Sequence, residues 1–302
     1  MTKVVAFGGG RGLSASLRAL VDLAVDLTAV VTVADNGGSS GVIRDTRPVL
    51  PPGDIRKALI ATASPNRAAT ADLFGHRFDG EDFLTSHPVG NIVLTSLLER
   101  SGNPVEAIEE AAALLGCRAR ILPMSAEGLD IEAEVRTGEG TVPVRGQHEV
   151  AVASGDVGNL RLLPEDACAA TETLRAVEDA DWHVFGPGSW FTSVIPHFLL
   201  PDLRASVART DAKRVLVLNL SQENETDGLD AAGHLRALTP YSESVRFHYV
   251  ISPEVRNVSA LDSLNRETEA LGAELVTAPL ASDPVTHDPS ALAVVLRKLM
   301  AA

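Results

Sequence analysis

The chain has 302 residues, which is enough for one large domain or two ordinary ones. Its hydrophobic content of 45% and charged content of 22% are typical of globular proteins, and its formal net charge is −14. This negative charge argues against nucleic acid and anionic membranes as general partners. No apolar run reaches the about 18 residues that span a bilayer, and the N-terminus has no signal-peptide pattern, so we expect a cytoplasmic protein.

The cysteines and histidines give no sign of a disulfide or a metal site. Cys117 and Cys168 lie in apolar or helical surroundings and form no Cys-x-x-Cys pair. We therefore expect two buried free thiols in a reducing compartment. No His-x-x-x-His spacing is present, so no metal-binding residue is predicted.

The first strongly patterned stretch is a short apolar run that ends in glycines. Residues 4–7 are typical of a buried strand, and residues 13–23, beginning at Leu13, have helical spacing. Between them lie Gly8, Gly9, Gly10, Arg11 and Gly12. A strand, a glycine turn and a helix N-terminus together favour anion binding, because backbone N–H groups are left uncovered there. Arg11 adds a positive charge that suits a diphosphate.

Three further strand ends carry polar or glycine-rich segments. The second strand is followed by Asp35 and a polar loop, the strand at residues 182–185 by a glycine turn, and the strand at residues 214–220 has Asn219 near its end. The loop and the turn consist of Asn36, Gly37, Gly38, Ser39, Ser40 and Gly41, and of Gly186, Pro187, Gly188 and Ser189. Because the carboxyl ends of parallel strands meet at one sheet edge, we expect these segments to hold a phosphorylated ligand.

Alternating strand and helix patterns predict an α/β fold, a Rossmann-like and mostly parallel sheet with helices on both faces. We expect a single domain over residues 1–302, with a helical block at about 53–116 and a small antiparallel β insertion at about 124–163. Strands are predicted in the insertion at residues 131–135, 141–144, 150–152 and 159–163. Later elements are predicted as helices at residues 166–179, 229–238, 261–271 and 289–299 and as strands at residues 245–251 and 274–277.

The glycine stretches do not match a known nucleotide fingerprint. Gly8 and Gly10 fit the first two positions of the dinucleotide motif, but Leu13 occupies the third, and no Gly-Lys-Ser/Thr follows for a P-loop. A Gly-x-Ser-x-Gly nucleophile elbow is also missing. Asp35 and Asp54 are carboxylates without the spacing of a catalytic pair. The residues indicate a binding fold for a phosphorylated, nucleotide-like small molecule and show no reaction.

Several candidate residues have a structural alternative. The glycine turns could only pack helix on strand, and residues 36–41 could be a flexible loop. Asp54 and Arg56 could form a helix cap and a surface ion pair rather than bind a ligand. His87 is more typical of a loop or cap than of a catalytic base, whereas Asn91 enters an apolar helix and needs a hydrogen-bond partner that a ligand could supply.

Six motifs, in order along nearly the whole chain, resemble those of the YvcK-like proteins, the bacterial gluconeogenesis (morphogenesis) factors of the CofD-like superfamily. The motifs begin at Phe7 (FGGGRGLS), Val31 (VTVADNGGSSG), Pro51 (PPGDIR), His87 (HPVGN), Gly186 (GPGSWFTS) and Asn219 (NLSQENETDG). The resemblance implies a Rossmann-like protein that binds a UDP-sugar, typically UDP-N-acetylglucosamine. It also implies a regulator, rather than an enzyme, that balances central carbon metabolism against cell-wall precursors and cell shape.

The same resemblance implies no catalytic residue, no required cofactor and no metal-binding residue, although Mg²⁺ is compatible with it. A protein partner in amino-sugar or cell-wall metabolism and a homo-oligomer are also expected. The expected ligand-binding residues are Gly8, Gly9, Gly10, Arg11, Gly12, Leu13, Asp35, Asn36, Gly37, Gly38, Ser39, Ser40, Asp54, His87, Asn91, Gly186, Gly188, Ser189 and Asn219.

The sequence departs from the family pattern at three positions that bear on ligand affinity. Arg11 stands where the family usually has Thr, Asn36 where it usually has Asp, and Thr286 where an Arg is expected. With no arginine at position 286, Arg11 becomes the cation on which affinity for a nucleotide sugar is expected to depend.

The alternative within the superfamily is a CofD-type 2-phospholactate transferase, which uses a guanosine-linked donor and Mg²⁺. Its acids would correspond in kind to Asp35 or Asp54. The motif at residues 35–41 favours the regulator, and Asn36 removes one metal ligand. A nicotinamide-dependent oxidoreductase has only Asp35 and the sheet in its favour.

Overall fold

The computed structural model describes residues 1–138, 140–220, 229–283 and 285–301. Its strands form three separate sheets. They are β1 (Lys3–Gly8), β2 (Asp26–Val31), β3 (Arg120–Pro123), β4 (Asp130–Thr137), β5 (Gly140–Arg145), β6 (Asp156–Leu163), β7 (Trp182–Phe185), β8 (Lys213–Val217), β9 (Tyr249–Pro253), β10 (Glu274–Ala278), β11 (Ala281–Asp283) and β12 (Thr286–His287).

The helices lie around the largest sheet, and most of them belong to the chain segments that connect its strands. They are α1 (Gly10–Leu20), α2 (Gly38–Arg44), α3 (Pro52–Thr62), α4 (Ala68–Gly75), α5 (Val89–Ser101), α6 (Pro104–Leu115), α7 (Gln147–Ala151), α8 (Thr171–Glu178), α9 (Pro196–Leu199), α10 (Pro201–Arg209), α11 (Ala231–Leu238), α12 (Val258–Ala270) and α13 (Pro289–Ala301). A 3₁₀ turn (Pro65–Arg67) and a π-helical turn (Trp190–Val194) complete the set in the described residues.

The largest sheet has seven strands in the order β10-β9-β8-β7-β1-β2-β3, and all its pairings are parallel. The chain runs outward from β1 to β3 and then returns to β7 on the other side of β1. The strand order therefore reverses between β1 and β7, which is where open α/β sheets bind ligands. The predicted fold class, a mostly parallel sheet with helices around it, is confirmed.

The apolar runs of β1, β2 and β7 explain why these strands occupy the middle of the sheet. Phe7 and Phe185 are fully buried and stack with their ring centroids 4.4 Å apart, and Phe198 packs on Phe185 at 4.8 Å. Strands covered by helices on both faces need such continuous apolar sequences. This aromatic cluster fixes β1 against β7, directly below the two glycine turns.

The helical block predicted at residues 53–116 contains α3 to α6, and its elements begin and end where local chemistry requires. Pro104 starts α6, and the Asn103 side chain accepts hydrogen bonds from the backbone N–H groups of Val105 and Glu106 at 3.0 and 3.5 Å. Gly116 ends the helix in the left-handed region at φ 57°. The helix predicted to start at Pro104 is therefore confirmed.

The β insertion differs from the prediction in one element. β4 pairs antiparallel with β5 and β6, as the hairpin and the strand at residues 159–163 predict. The strand predicted at residues 150–152 is wrong, because this segment belongs to α7. Val150 is fully buried and its N–H bonds to the carbonyl of Gly146, closing a helical turn. A three-residue apolar run fits one turn of helix as well as a strand.

Several predicted boundaries after the insertion are also wrong. The helix predicted at residues 166–179 begins only at Thr171, because the preceding chain bonds elsewhere: Ala169 N–H donates to Asp202 Oδ2 at 2.9 Å and Ala170 N–H to the Met124 carbonyl at 3.1 Å. The strand predicted at residues 245–251 begins at Tyr249. The edge strand β3 and the helix α10 were not predicted from the sequence.

The cysteine prediction is only partly correct. Cys117 is partly buried and free, and burial raises the pKa of its thiol. Cys168 is free but exposed, and it lies in the extended segment before α8 rather than in a helix. In the described part of the chain, no helix combines the length and apolar character needed to cross a membrane.

The burial of side chains on α5 leads to a prediction about stability, and an exposed residue of the same helix supplies a matched control. Leu94 of α5 is fully buried, whereas Ile92 of α5 is 39% exposed. Leu94→Ala should lower the free energy of unfolding by roughly 3 kcal/mol, because it leaves a cavity, and Ile92→Ala by well under half of that. Urea unfolding measures both, and equal losses would contradict the packing described.

Candidate functional site

A cavity of about 290 Å³ opens at the carboxyl ends of β1 and β7, where the strand order of the sheet reverses. Its volume is at the lower end of the about 300–1,000 Å³ typical of small-molecule sites. The lining residues are Gly9, Gly10, Arg11, Gly12, Ala15, Asp35, Asp54, Lys57, Gln147, Pro187, Gly188, Ser189, Ser193, Asn219, Leu220, Val285, Thr286 and His287. Residues from all four of the predicted strand ends meet in this one space.

The first glycine turn is packed too closely for a side chain at two positions, Gly9 and Gly12. A Cβ on Gly9 would lie 2.4 Å from Asp54 Oδ2 and 2.6 Å from Thr32 Oγ1. A Cβ on Gly12 would lie 2.2 Å from the Pro187 carbonyl oxygen. These distances are far below normal contact, so glycine is required at position 9 for the approach of α3 and at position 12 for the approach of the second turn.

The turn at residues 186–189 is held by side chains from two other elements. The Asn219 side chain accepts from the Gly188 N–H at 2.9 Å and donates to the Gly188 carbonyl at 3.0 Å. The Ser16 hydroxyl, inside α1, donates to the Gly186 carbonyl at 2.6 Å. Asn219 therefore lines the cavity and also fixes the backbone of the turn beside it.

Two carboxylates, Asp35 and Asp54, also line the cavity, and Asp54 packs directly against Gly9 of the first glycine turn. Asp54, in the first turn of α3, is only 8% exposed; it accepts from Lys57 Nζ at 2.9 Å and from Thr32 Oγ1 at 3.4 Å. Burial, and then the negative charge of Asp54, raise the pKa of Asp35, while the N–H of Gly37, 2.9 Å from Asp35 Oδ1, opposes the rise. Like charges held this close favour protonation or a bound cation.

The segment at residues 36–41 is neither a flexible loop nor a wall of the cavity. Gly38 begins α2, and Asn36 turns away toward the β insertion. The Asn36 side chain donates to Glu149 Oε2 at 2.8 Å and accepts from the His148 N–H at 2.8 Å. A polar, glycine-rich sequence is compatible with both a loop and a helix start, which is why the sequence did not separate them.

About half of the sequence-predicted site residues line the cavity. These are Gly9, Gly10, Arg11, Gly12, Asp35, Asp54, Gly188, Ser189 and Asn219. The others lie behind it or beside it: Gly8, Leu13, Asn36, Gly37, Gly38, Ser39, Ser40, His87, Asn91 and Gly186. Gly8 and Leu13 are buried against each other, since a Cβ on Gly8 would lie 3.3 Å from the Leu13 Cβ.

The comparisons with known proteins agree with this architecture. The sequence profile of the family described as "2-phospho-L-lactate transferase CofD" matches residues 4–299. The chain belongs to the CofD family.

Within this family the chain is similar to proteins named as gluconeogenesis factors. It is 43% identical over 303 residues to a Mycobacterium tuberculosis protein named "Putative gluconeogenesis factor", covering 97% of this chain and 89% of that protein. It is 33% identical over 319 residues to the "Gluconeogenesis factor" of Bacillus subtilis, covering 99% and 98% of the two chains. A crystal structure of a UPF0052 family member from Bacillus halodurans superposes with a TM-score of 0.88 at 29% identity, covering 98% of each chain.

The structure adds lining residues to this CofD-family site that the sequence did not indicate. Lys57 follows Asp54 by three residues, and this i,i+3 spacing was a signal that could have found it. Gln147 comes from the β insertion and Ser193 from the π-helical turn, and neither carries a sequence signal of its own. His287 lines the cavity and shares a hydrogen bond of 3.0 Å between its Nε2 and the Leu218 carbonyl, while burial lowers its pKa.

The interpretation of Arg56 as half of a surface ion pair is wrong. Arg56 is 7% exposed, and its Nε donates to Asn91 Oδ1 at 2.9 Å instead of pairing with Asp54. The partner of Asp54 is Lys57. One turn of helix places residue 57, not residue 56, on the side of α3 that faces the cavity.

The described residues hold no group of three or more His, Cys, Asp or Glu side chains suited to a metal ion. Asp35 and Asp54 remain as two carboxylates on one wall of the cavity. Mg²⁺ is commonly bound through one or two carboxylates together with the phosphates of a ligand and water. The pair therefore fits a cation that arrives with a phosphorylated ligand, and not a closed metal site.

The raised pKa of Asp35 predicts how the stability of the protein changes with pH. Since the pKa of Asp35 in the folded protein lies above its ordinary value, the ionised carboxylate destabilises the folded protein at neutral pH. Asp35→Asn should therefore raise the melting temperature at neutral pH in the presence of a chelator. The gain should shrink as the pH falls through the folded-state pKa of Asp35, where the wild-type carboxyl becomes neutral.

Asp262→Asn is the matched control, because Asp262 is an exposed residue of α12 away from the cavity. It should leave the melting temperature within experimental error of the wild type across the same pH series. A lower melting temperature for Asp35→Asn at neutral pH, or a gain independent of pH, would contradict the assigned repulsion between Asp35 and Asp54.

Proposed function

We propose that the cavity binds a nucleotide sugar of the UDP-N-acetylglucosamine type and that the protein is a regulator. In this role it links central carbon metabolism to cell-wall precursor synthesis and cell shape, acting on a protein partner in amino-sugar or cell-wall metabolism. The observation that carries the proposal is the meeting of two glycine turns and two cationic side chains, Arg11 and Lys57, in one cavity at the switch point of the sheet.

The backbone of the first turn supports the diphosphate part of this proposal. α1 begins at Gly10, and no side chain caps its N-terminus. The first hydrogen bond back into the helix is donated by Leu13 to the Gly9 carbonyl at 3.1 Å, so the N–H groups of Gly10, Arg11 and Gly12 precede the helical ladder. A phosphate is the ligand that such an N-terminus favours, because its charge complements the helix dipole.

Arg11 and Lys57 supply the charge that a diphosphate needs in a protein with a net charge of −14. Arg11 is exposed on the rim of the cavity, and Lys57 is held at Asp54 by its 2.9 Å ion pair. Arg11 stands in for the arginine that the family pattern places at Thr286, which also lines the cavity. The two positions border the same space, so a cation at either one serves the same ligand.

The names of the relatives and the chemistry of the lining favour a regulator over an enzyme. The proteins from Mycobacterium tuberculosis and Bacillus subtilis are both named as gluconeogenesis factors. Lys57 is engaged by Asp54 at 2.9 Å, so this amine is held as a cation and is not placed as a general base. Groups arranged to hold a ligand, rather than to transfer its protons, suit a sensor.

Mg²⁺ accompanies the ligand in this proposal, held by Asp35 and Asp54. It would neutralise charge between these two carboxylates and the diphosphate. The protein's own part is to fix Asp54 through Lys57 and Thr32 and Asp35 through Gly37.

The second candidate is a transferase of the 2-phospholactate type. The observation that favours it is the match of residues 4–299 to the family described by that activity, together with the carboxylate pair Asp35 and Asp54. Incubation with a guanosine-linked phospholactyl donor, a deazaflavin acceptor and Mg²⁺ tests it by mass spectrometry. Formation of the phospholactyl deazaflavin would replace the regulator proposal by this one.

Arg11 gives the sharpest test of the proposed ligand, because α1 also carries a matched control. Arg18 is an exposed arginine on the same helix that does not line the cavity. Arg11→Ala should weaken binding of UDP-N-acetylglucosamine by about tenfold or more, the effect of losing a charge-assisted contact to phosphate. Arg18→Ala should bind like the wild type, as measured by isothermal titration calorimetry with Mg²⁺.

Two results would contradict the proposal. One is the absence of binding of UDP-N-acetylglucosamine by the wild type at millimolar ligand. The other is equal affinity of the wild type and Arg11→Ala, which would place the diphosphate away from the first glycine turn. Titrations with guanosine and adenosine diphosphate sugars in the same series measure the preference for the base.

A further inference from the structure

Arg56 is a buried cation without a carboxylate partner among the described residues. Only 7% of the residue is exposed, and none of the ion pairs formed within 4 Å involves its guanidinium. Its Nε donates to Asn91 Oδ1 at 2.9 Å, but the two terminal nitrogens make no hydrogen bond to a described residue. These two nitrogens also keep some contact with solvent.

A continuous chain of hydrogen bonds extends from Arg56 across three other chain segments. The amide nitrogen of Asn91 donates to the Ser39 hydroxyl at 2.9 Å, and Ser39 Oγ lies 2.8 Å from His87 Nδ1. Asn91 is 2% exposed, whereas Ser39 and His87 are partly exposed. The network thus runs from the buried guanidinium to the protein surface, and we call these four side chains the Arg56 cluster.

The aliphatic stem of Arg56 is held rigidly in place. A Cβ on Gly90 would lie 2.9 Å from the Arg56 Cδ and 2.8 Å from both the Phe74 Cδ1 and the Phe74 carbonyl oxygen. Gly90 is therefore required for α5 to approach α3 at the point where Arg56 crosses between them. A guanidinium fixed by its stem and by its Nε loses little rotamer freedom when it binds a ligand.

The charges near Arg56 leave its positive charge poorly compensated. Burial lowers the pKa of Arg56 most, and the positive charge of the nearby Arg77 lowers it further. The negative charge of Asp54 raises this pKa, but by less than either of the other two effects lowers it. Asp54 itself is engaged by Lys57 at 2.9 Å. Arg77 lies on the protein surface, and its Nη1 donates to the Ser86 carbonyl next to His87. Arg56 is thus affected by a second positive charge, while the carboxylate that opposes it, Asp54, is already paired with Lys57.

A buried cation is costly unless a partner of opposite charge compensates it. The Arg56 cluster carries the donors of an oxyanion site: a guanidinium fork, a hydroxyl and an imidazole on different segments. We propose that the Arg56 cluster binds a small oxyanion, a phosphate or carboxylate group, at a site separate from the lining of the nucleotide-sugar cavity. Arg56 binds it through its terminal nitrogens, Ser39 and His87 contact it from the surface side, and Asn91 positions Arg56 and Ser39.

The location of this second site gives it access to the first. Arg56 lies two residues beyond Asp54 on α3, and Ser39 lies four residues beyond Asp35 at the start of α2. The two carboxylates of the cavity and two members of the Arg56 cluster, Arg56 and Ser39, are therefore carried on the same two short segments. The proposed anion site is thus next to the cavity along the chain at two points.

Phosphate-dependent thermal stability tests the proposal on the full chain. Inorganic phosphate, compared with chloride at the same ionic strength, should raise the melting temperature of the wild type. Arg56→Gln keeps a side chain that reaches Asn91 but removes the charge, and it should weaken the apparent phosphate affinity by about tenfold or more. His87→Ala, at a partly exposed position, should weaken it in the same direction and keeps the test valid if Arg56→Gln does not fold.

Two control variants separate the Arg56 cluster from the glycine turns and from general charge. Arg47→Gln removes an exposed arginine near the end of α2 that pairs with Glu99, and it should keep the wild-type response to phosphate. Arg11→Ala alters the cavity and should keep the part of the phosphate response that Arg56→Gln and His87→Ala remove, although it loses any part that comes from phosphate at the first glycine turn. Acetate in place of phosphate distinguishes the two ligand sources: stabilisation by acetate alone, lost in Arg56→Gln, assigns a carboxylate ligand to the same cluster.

The proposal fails if Arg56→Gln and His87→Ala both respond to phosphate and acetate like the wild type. It also fails if Arg11→Ala abolishes the response while the two cluster variants retain it, because the anion then occupies the glycine turns. These outcomes are independent of whether UDP-N-acetylglucosamine binds, so the failure of either proposal leaves the other measurable.

Discussion

The site depends on the close contact between the two glycine turns that follow β1 and β7. A Cβ on Gly12 would lie 2.2 Å from the Pro187 carbonyl oxygen, and one on Gly9 would lie 2.4 Å from Asp54 Oδ2. These contacts join three elements, α1, α3 and the chain after β7, around one cavity. Asn219 and Ser16 then hold the turn at residues 186–189 in the only position that the contact allows. Any side chain at Gly9 or Gly12 would force the walls of the cavity apart.

The electrostatics of the cavity are local and oppose the net charge of the protein. The whole chain carries −14, yet the cavity has an uncapped helix N-terminus, Arg11 and Lys57. Asp35 and Asp54 supply negative charge in the same cavity, and burial, followed by the negative charge of Asp54, raises the pKa of Asp35. A pair of carboxylates that favours a cation, beside a turn that favours an anion, is suited to the diphosphate and Mg²⁺ that we propose. A cation bound there would relieve the cost of ionising two carboxylates in one buried space.

Much of the fold follows from local patterns in the sequence. The apolar runs before Gly8 and Gly186 predicted two parallel strands, and their adjacency in the sheet explains why the two turns meet. The local sequence patterns gave wrong predictions where contacts between distant parts of the chain decide the secondary structure. Val150 is fully buried in a helical turn within the insertion, and the chain before α8 stays extended where Asp202 and Met124 accept the N–H groups of Ala169 and Ala170. No periodicity within a segment carries that information.

The site residues also divide into those that a local sequence signal predicted and those that only long-range packing brings to the cavity. Gly9, Gly10, Arg11 and Gly12 were predicted because a strand followed by glycines is a local signal, and they line the cavity. Gln147 and Ser193 reach the cavity only through the packing of the β insertion and the π-helical turn. Ser39, His87 and Asn91 were expected at the ligand and instead form a network with Arg56, whose burial could not be inferred from its position beside Asp54.

A crystal structure of the protein with UDP-N-acetylglucosamine and Mg²⁺ would locate the ligand directly. We expect the diphosphate between the N–H groups of residues 10–12 and the turn at residues 186–189, with Arg11 on one phosphate and the cation at Asp35 and Asp54. A diphosphate bound elsewhere on the molecule, with the glycine turns in contact only with solvent, would contradict this expectation.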